Sequence, residues 1–72
     1  MPPSRDYSML KVNTRALSIA MANAELQPKE LAAKAGVSDN IIYTIRRGCL
    51  IKPVYIGKVC KALNVKVEDM VE

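Results

Sequence analysis

The stretch LQPKELAAKAGVSDNIIYTIRRG, Leu26 to Gly48, decides how this chain folds. Gln27 stands at a cap position, Pro28 is a suitable first helical residue, and Glu30 lies three beyond the cap, so a helix starts here. Leu31, Ala32 and Ala35 form its apolar stripe. Gly36 follows at the point where a left-handed residue ends a helix without a Cβ penalty. Val37 then turns inward and Ser38 can cap a second helix. Ile42 and Ile45 share one face of that second helix, while Asp39, Asn40, Tyr43, Thr44 and Arg47 fall on the other side or its flanks. Gly48 stops it.

Reading outward toward the N-terminus, Leu17, Ala20, Met21 and Ala24 recur at helical spacing after Asn13, a good cap residue. Glu25 and Leu26 break that helix. Residues 1–11 carry Pro2, Pro3 and mixed charge without an apolar period, which predicts a flexible arm ahead of a domain spanning 12–72. Toward the C-terminus, Cys49, Leu50 and Ile51 form a loop in which Ile51 can enter the core and Cys49 and Leu50 are expected to be exposed. Lys52 and Pro53 then start a fourth helix. Ile56, Val59, Cys60 and Leu63 are its stripe, Gly57 weakens it, and Asn64 ends it. Val65 and Val67 lead into a last short turn anchored by Met70 and Val71, with Glu68 and Asp69 near its positive end. The expectation is all-α: a compact five-helix bundle with no repeat and no internal linker.

The composition agrees with that class and narrows the function. The chain has 72 residues, no Trp or Phe and only three Tyr, so its core must be built from Leu, Ile, Val, Ala and Met. A chain this small buries only about 60% of the surface its unfolded form exposes, so stability needs a tight core, dimerisation, or both. The formal net charge of +4 favours a polyanionic partner. With no His and only two Cys, at 49 and 60 and without a CxxC spacing, a zinc site lacks ligands, and the expectation is no metal and no cofactor. Both thiols are read as reduced, as in a cytosol. No Gly-rich phosphate loop, paired carboxylates or base beside a cysteine suggests an enzyme. No apolar run nears the roughly 18 residues of a spanning helix, and MPPSRDYS does not read as a signal peptide. A cytoplasmic protein with no membrane role is expected.

Together with GKVCKALNVKVEDMV, Gly57 to Val71, the opening stretch resembles the helix-turn-helix family of phage repressors, Cro proteins and XRE-like regulators. Leu26, Glu30, Leu31, Ala32, Gly36, Val37, Ser38, Ile42, Ile45 and Gly48, then Ala62, Leu63 and Val65, carry the resemblance. It implies a lambda-repressor-like DNA-binding domain whose helix from Ser38 enters the major groove of a double-stranded operator, as a homodimer. Carried over by position, it implies base reading by Asp39, Asn40 and Thr44 with Tyr43 alongside, and backbone contacts from Gln27, Lys29, Ser38, Arg47 and Lys52. Asn40 suits adenine because its amide both donates and accepts. Asp39 meets a repulsion from phosphate of roughly 0.7 kcal/mol at about 6 Å in water, and alternatively serves only its own helix N-terminus.

The chain departs from the family pattern in three places. Pro28 stands where many members have a Gln that contacts the DNA backbone. Arg46 and Met21 stand where the family commonly has a buried Glu and Arg pair, so Arg46 is expected to lie over apolar surface with its head in water, adding to the basic patch. Cys49, Leu50 and Ile51 are apolar where Lys, Arg and Asn are frequent. With Ile41 on the helix flank, Cys49 and Leu50 are candidates for a protein interface. The alternative reading is therefore a helix-turn-helix module that binds another protein, such as an antirepressor pairing with a phage repressor.

Overall fold

The computed structural model describes residues 9–72. Five helices follow in order: α1 (Thr14–Ala24), α2 (Pro28–Ala35), α3 (Asp39–Arg46), α4 (Pro53–Leu63) and α5 (Val67–Met70). Two short strands, β1 (Leu10–Lys11) and β2 (Leu50–Ile51), pair antiparallel with Leu10 opposite Ile51 and Lys11 opposite Leu50.

The helices begin where cap chemistry places them. Asn13 Oδ1 accepts from the Ala16 N–H at 3.1 Å. At α2 the Glu30 carboxylate reaches back to the Gln27 N–H at 2.8 Å, and Pro28 at the first position has no N–H to satisfy. Ser38 Oγ accepts from the Ile41 N–H at 3.3 Å. Each bond removes one of the donors that a helix start leaves unpartnered.

Three helices end in one way. Glu25, Gly36 and Asn64 adopt left-handed conformations with φ of 57°, 76° and 59°. The next residue then donates back to the last turn: Leu26 to the Met21 carbonyl, Val37 to Ala32 and Val65 to Cys60, each at 3.0 Å. In each case that residue is apolar and packs against the core. This is the Schellman arrangement with its hydrophobic contact.

The stripes converge on one core. Leu17 of α1, Leu31 of α2, Ile42 and Ile45 of α3 and Ile56 of α4 are all at most 1% exposed. Val12, Ile51 and Met70 complete it from outside the longer helices. No polar or charged residue among those described is buried. Cys60 is buried and Cys49 exposed, both as free thiols, and burial pushes the Cys60 pKa up.

The arm expected over residues 1–11 needs a correction at its end. Leu10 and Lys11 are strand residues, Val12 bridges to Val71, and the chain is stitched there by Asn13 N–H to the Met70 carbonyl at 2.7 Å and Glu72 N–H to the Lys11 carbonyl at 2.9 Å. The inward, outward, inward alternation of Leu10, Lys11 and Val12 spans only three residues, too few for a period-2 pattern to register. The expectation for residues 1–8 lies outside the described residues.

Candidate nucleic-acid interface

The interface candidate is the outer face of α3. Ser38 fixes the start of the helix, and Ile42 and Ile45, neither exposed at all, fix its rotation about its own axis. At about 100° per residue, the direction opposite those two isoleucines falls on Arg47, with Asn40 and Tyr43 within about 40° of it. All three side chains are exposed. Asp39 and Thr44 flank this central stripe on opposite sides. Asp39 is exposed, whereas Thr44 is half-buried. Arg46 lies at the edge of the face and is exposed, whereas Met21 is buried in the core.

Gln27, Lys29 and Lys52 lie outside α3, at the starts of α2 and α4, and all are exposed. The Gln27 amide and the Ser38 hydroxyl are each engaged in their own helix caps. Pro28 has no N–H to donate, so the first free amides of α2 lie beyond it. The cations among the candidates, Lys29, Arg46, Arg47 and Lys52, are all exposed, as are the acids Asp39 and Glu30, and the Glu30 carboxylate is occupied by the Gln27 amide.

The interface candidates of the alternative reading separate. Leu50 is 58% exposed and Cys49 is exposed, both beside the end of α3, whereas Ile41 is half-buried and packs against the core.

Lys11 is the residue that the sequence did not place. Its side chain lies 3.7 Å from the position a Cβ would take on Gly48, which puts a lysine at the C-terminal end of α3, and its ammonium stands 3.9 Å from the Glu72 carboxylate. Only its cross-strand position opposite Leu50 brings it there. No group of three His, Cys, Asp or Glu among the described residues is placed to hold a metal ion, and no described helix is long and apolar enough to cross a membrane.

A family model, the Cro/C1-type HTH DNA-binding domain, matches residues 16–72. The fold is similar to that of the transcriptional regulator VanUg, known from a crystal structure, with a TM-score of 0.73 and 19% sequence identity over 89% of this chain and 85% of that one. The chain matches no curated protein sequence.

Proposed function

The chain belongs to the Cro/C1-type helix-turn-helix DNA-binding family, and from that premise we propose that it is a sequence-specific transcriptional regulator that reads an operator with α3 in the major groove. The observation that carries this reading is the division of α3. Ile42 and Ile45 anchor one side in the core, and Asn40, Tyr43 and Arg47 occupy the opposite, exposed side. A helix held in that way presents a narrow polar ridge of the width the major groove admits.

The roles follow from position and chemistry. Asn40, in the first turn, pairs bidentately with adenine: its amide NH2 donates to N7 while its carbonyl accepts from the N6 amino group. Thr44 meets a thymine methyl and Asp39 a cytosine amino group at the flanks. Tyr43, Arg46, Arg47, Lys29, Lys52, Gln27 and Ser38 position the domain on phosphates. The protein acts as a repressor of the phage or Cro type in the cytoplasm, as a homodimer on two half-sites one helical turn apart.

Selection from random oligonucleotides tests this directly. Enrichment of one sequence class is expected, with log affinity falling linearly as log salt rises. Asn40→Ala should relax one base position by about 1 to 3 kcal/mol, whereas Arg47→Ala should weaken all sequences alike and flatten the salt slope. Absence of enrichment, or affinity indifferent to salt, overturns the reading.

A second reading rests on Leu50, 58% exposed beside α3 with the exposed Cys49. An apolar projection at that place suits a protein partner such as a repressor that the module pairs with. Leu50→Asp then abolishes a heterocomplex recovered from source cells and leaves DNA affinity unchanged; an intact complex in that variant rejects it.

A further inference from the structure

Where α2 packs on α4, a groove is lined by Lys34, Ala35 and Gly36 from the end of α2 and by Lys58, Lys61 and Ala62 from α4. The three lysines are exposed and the two alanines half-buried. A Cβ on Gly36 would meet nothing within 4 Å, so the hollow is open above the turn. No Asp or Glu lines it, and none of the three lysines belongs to an ion pair among the described residues, where the pair formed is Lys11 with Glu72. Lys34 and Lys61 have a local reason: each stands in the last turn of its helix, where a cation offsets the negative end. Lys58 has none. It precedes Lys61 by three residues on the same helix face, where like charges repel.

A hollow walled by one sign of charge focuses its field outward and draws an anion. The operator is not that anion. The phosphate candidates on these two helices, Gln27 and Lys29 on α2 and Lys52 on α4, stand at the helix starts, and at 1.5 Å per residue Lys58 and Lys61 lie roughly 9 to 14 Å further along α4. Nor is it a lone ion. The hollow, about 500 Å³, is in the range of clefts that take ligands of many atoms, and no buried polar side chain is present among the described residues to clamp a compact one. Ammonium groups on flexible four-carbon stems can instead follow carboxylates spaced along a chain. We propose that this groove docks an acidic segment of a partner protein, its carboxylates pairing with Lys34, Lys58 and Lys61 and its backbone lying over Ala35, Gly36 and Ala62. The site goes beyond the operator reading and does not depend on it.

Titration of the full chain with a synthetic peptide of alternating Glu and Ala, followed by the amide resonances of Gly36 and Ala62, is the test. Saturable shifts of both resonances are expected. Lys34→Glu and Lys58→Glu should each weaken binding at least about tenfold, as like charges set against each other across an interface do. Arg47→Ala, on the outer face of α3, should leave it within about twofold. All these side chains are exposed, so the variants keep their fold, which helical circular dichroism verifies. A DNA duplex in place of the peptide should respond in reverse, weakened by Arg47→Ala and held within about threefold by Lys58→Glu, at an ionic strength where charges more than about 8 Å apart are largely screened. Resonances of Gly36 and Ala62 that do not move overturn the proposal. So does peptide binding that Arg47→Ala weakens as much as Lys58→Glu does, which places the peptide on α3. Duplex binding weakened by Lys58→Glu as much as by Arg47→Ala makes the groove part of the DNA surface and overturns it too. Inorganic phosphate that moves Gly36 with the affinity of the peptide reduces the groove to a site for a lone ion and likewise overturns it.

Discussion

The unit α2, turn and α3 and the closure made by β1, β2 and the end of α5 are held together by different means. In the first, every junction is local: Glu30 to the Gln27 amide, Ser38 to the Ile41 amide, and Val37 back to Ala32 across Gly36. In the second, the bonds join residues far apart in the chain, Lys11 to Glu72 and Asn13 to Met70, through the backbone. Local chemistry alone fixes the start of α3, whereas the closure needs residues from both ends of the described chain. The closure then covers the core beneath it with Val12, Ile51 and Met70.

The shared core gives the largest expected effect. Leu31, fully buried between α3 and α4, should cost about 2 to 5 kcal/mol when truncated to alanine, measured as the urea midpoint, and should weaken both regions together. A loss confined to one region would break the view that one core serves both. Cys60 tests the same core through pH. Its folded pKa is raised from 9.0 by burial, so between the two values the unfolded chain binds fewer protons than the folded one. Its contribution is full below about pH 9 and is lost as pH rises through the folded pKa, with a slope of at most about 1.4 kcal/mol per pH unit. Cys60→Ala should remove that slope in urea titrations between pH 8 and 11.

The same contrast governs what the sequence discloses. Helix starts at Asn13, Gln27, Ser38 and Pro53 and ends at Gly36 and Asn64 are legible because the residue that makes each junction lies within four positions of its partner. The outward face of α3 follows from Ile42 and Ile45 by periodicity alone. The ladder of Leu10 with Ile51 and the place of Lys11 beside Gly48 are not legible, because pairing across some 40 residues leaves no local mark. The half-buried position of Ile41 is not legible for another reason: a side chain on the flank of a helix is buried or exposed according to its neighbours, which spacing does not specify.

Two left-handed helix ends sharpen the comparison within the local class. A Cβ on Gly36 meets nothing within 4 Å, so Gly36→Ala carries only the cost of φ near 76°, about 1 to 2 kcal/mol by urea denaturation. Glu25 already bears that cost at φ 57° in the equivalent position of α1. Glu25→Gly should therefore stabilise the domain, by about 0.5 to 1 kcal/mol after the greater freedom of glycine in the unfolded chain is offset. If both changes destabilise, the Glu25 side chain contributes something that its conformation does not show.

The smallest effect bears on how the closure is held. Lys11 and Glu72 approach to 3.9 Å with both side chains half exposed, and the same two residues share the backbone bond from the Glu72 N–H to the Lys11 carbonyl. An exposed pair at that distance contributes at most a few tenths of a kcal/mol because water and salt screen it. Glu72→Gln keeps the backbone bond and the size of the side chain while removing the charge. Its melting temperature should stay within about 2 °C of the unmodified chain and should not respond further to added salt. Val12→Ala at the same junction leaves both charges in place but opens a void in the core, and should cost about 1 to 3 kcal/mol. The order of these two variants decides between packing with backbone pairing and surface charge as the agent of closure: a Glu72→Gln loss as large as that of Val12→Ala would assign it to charge.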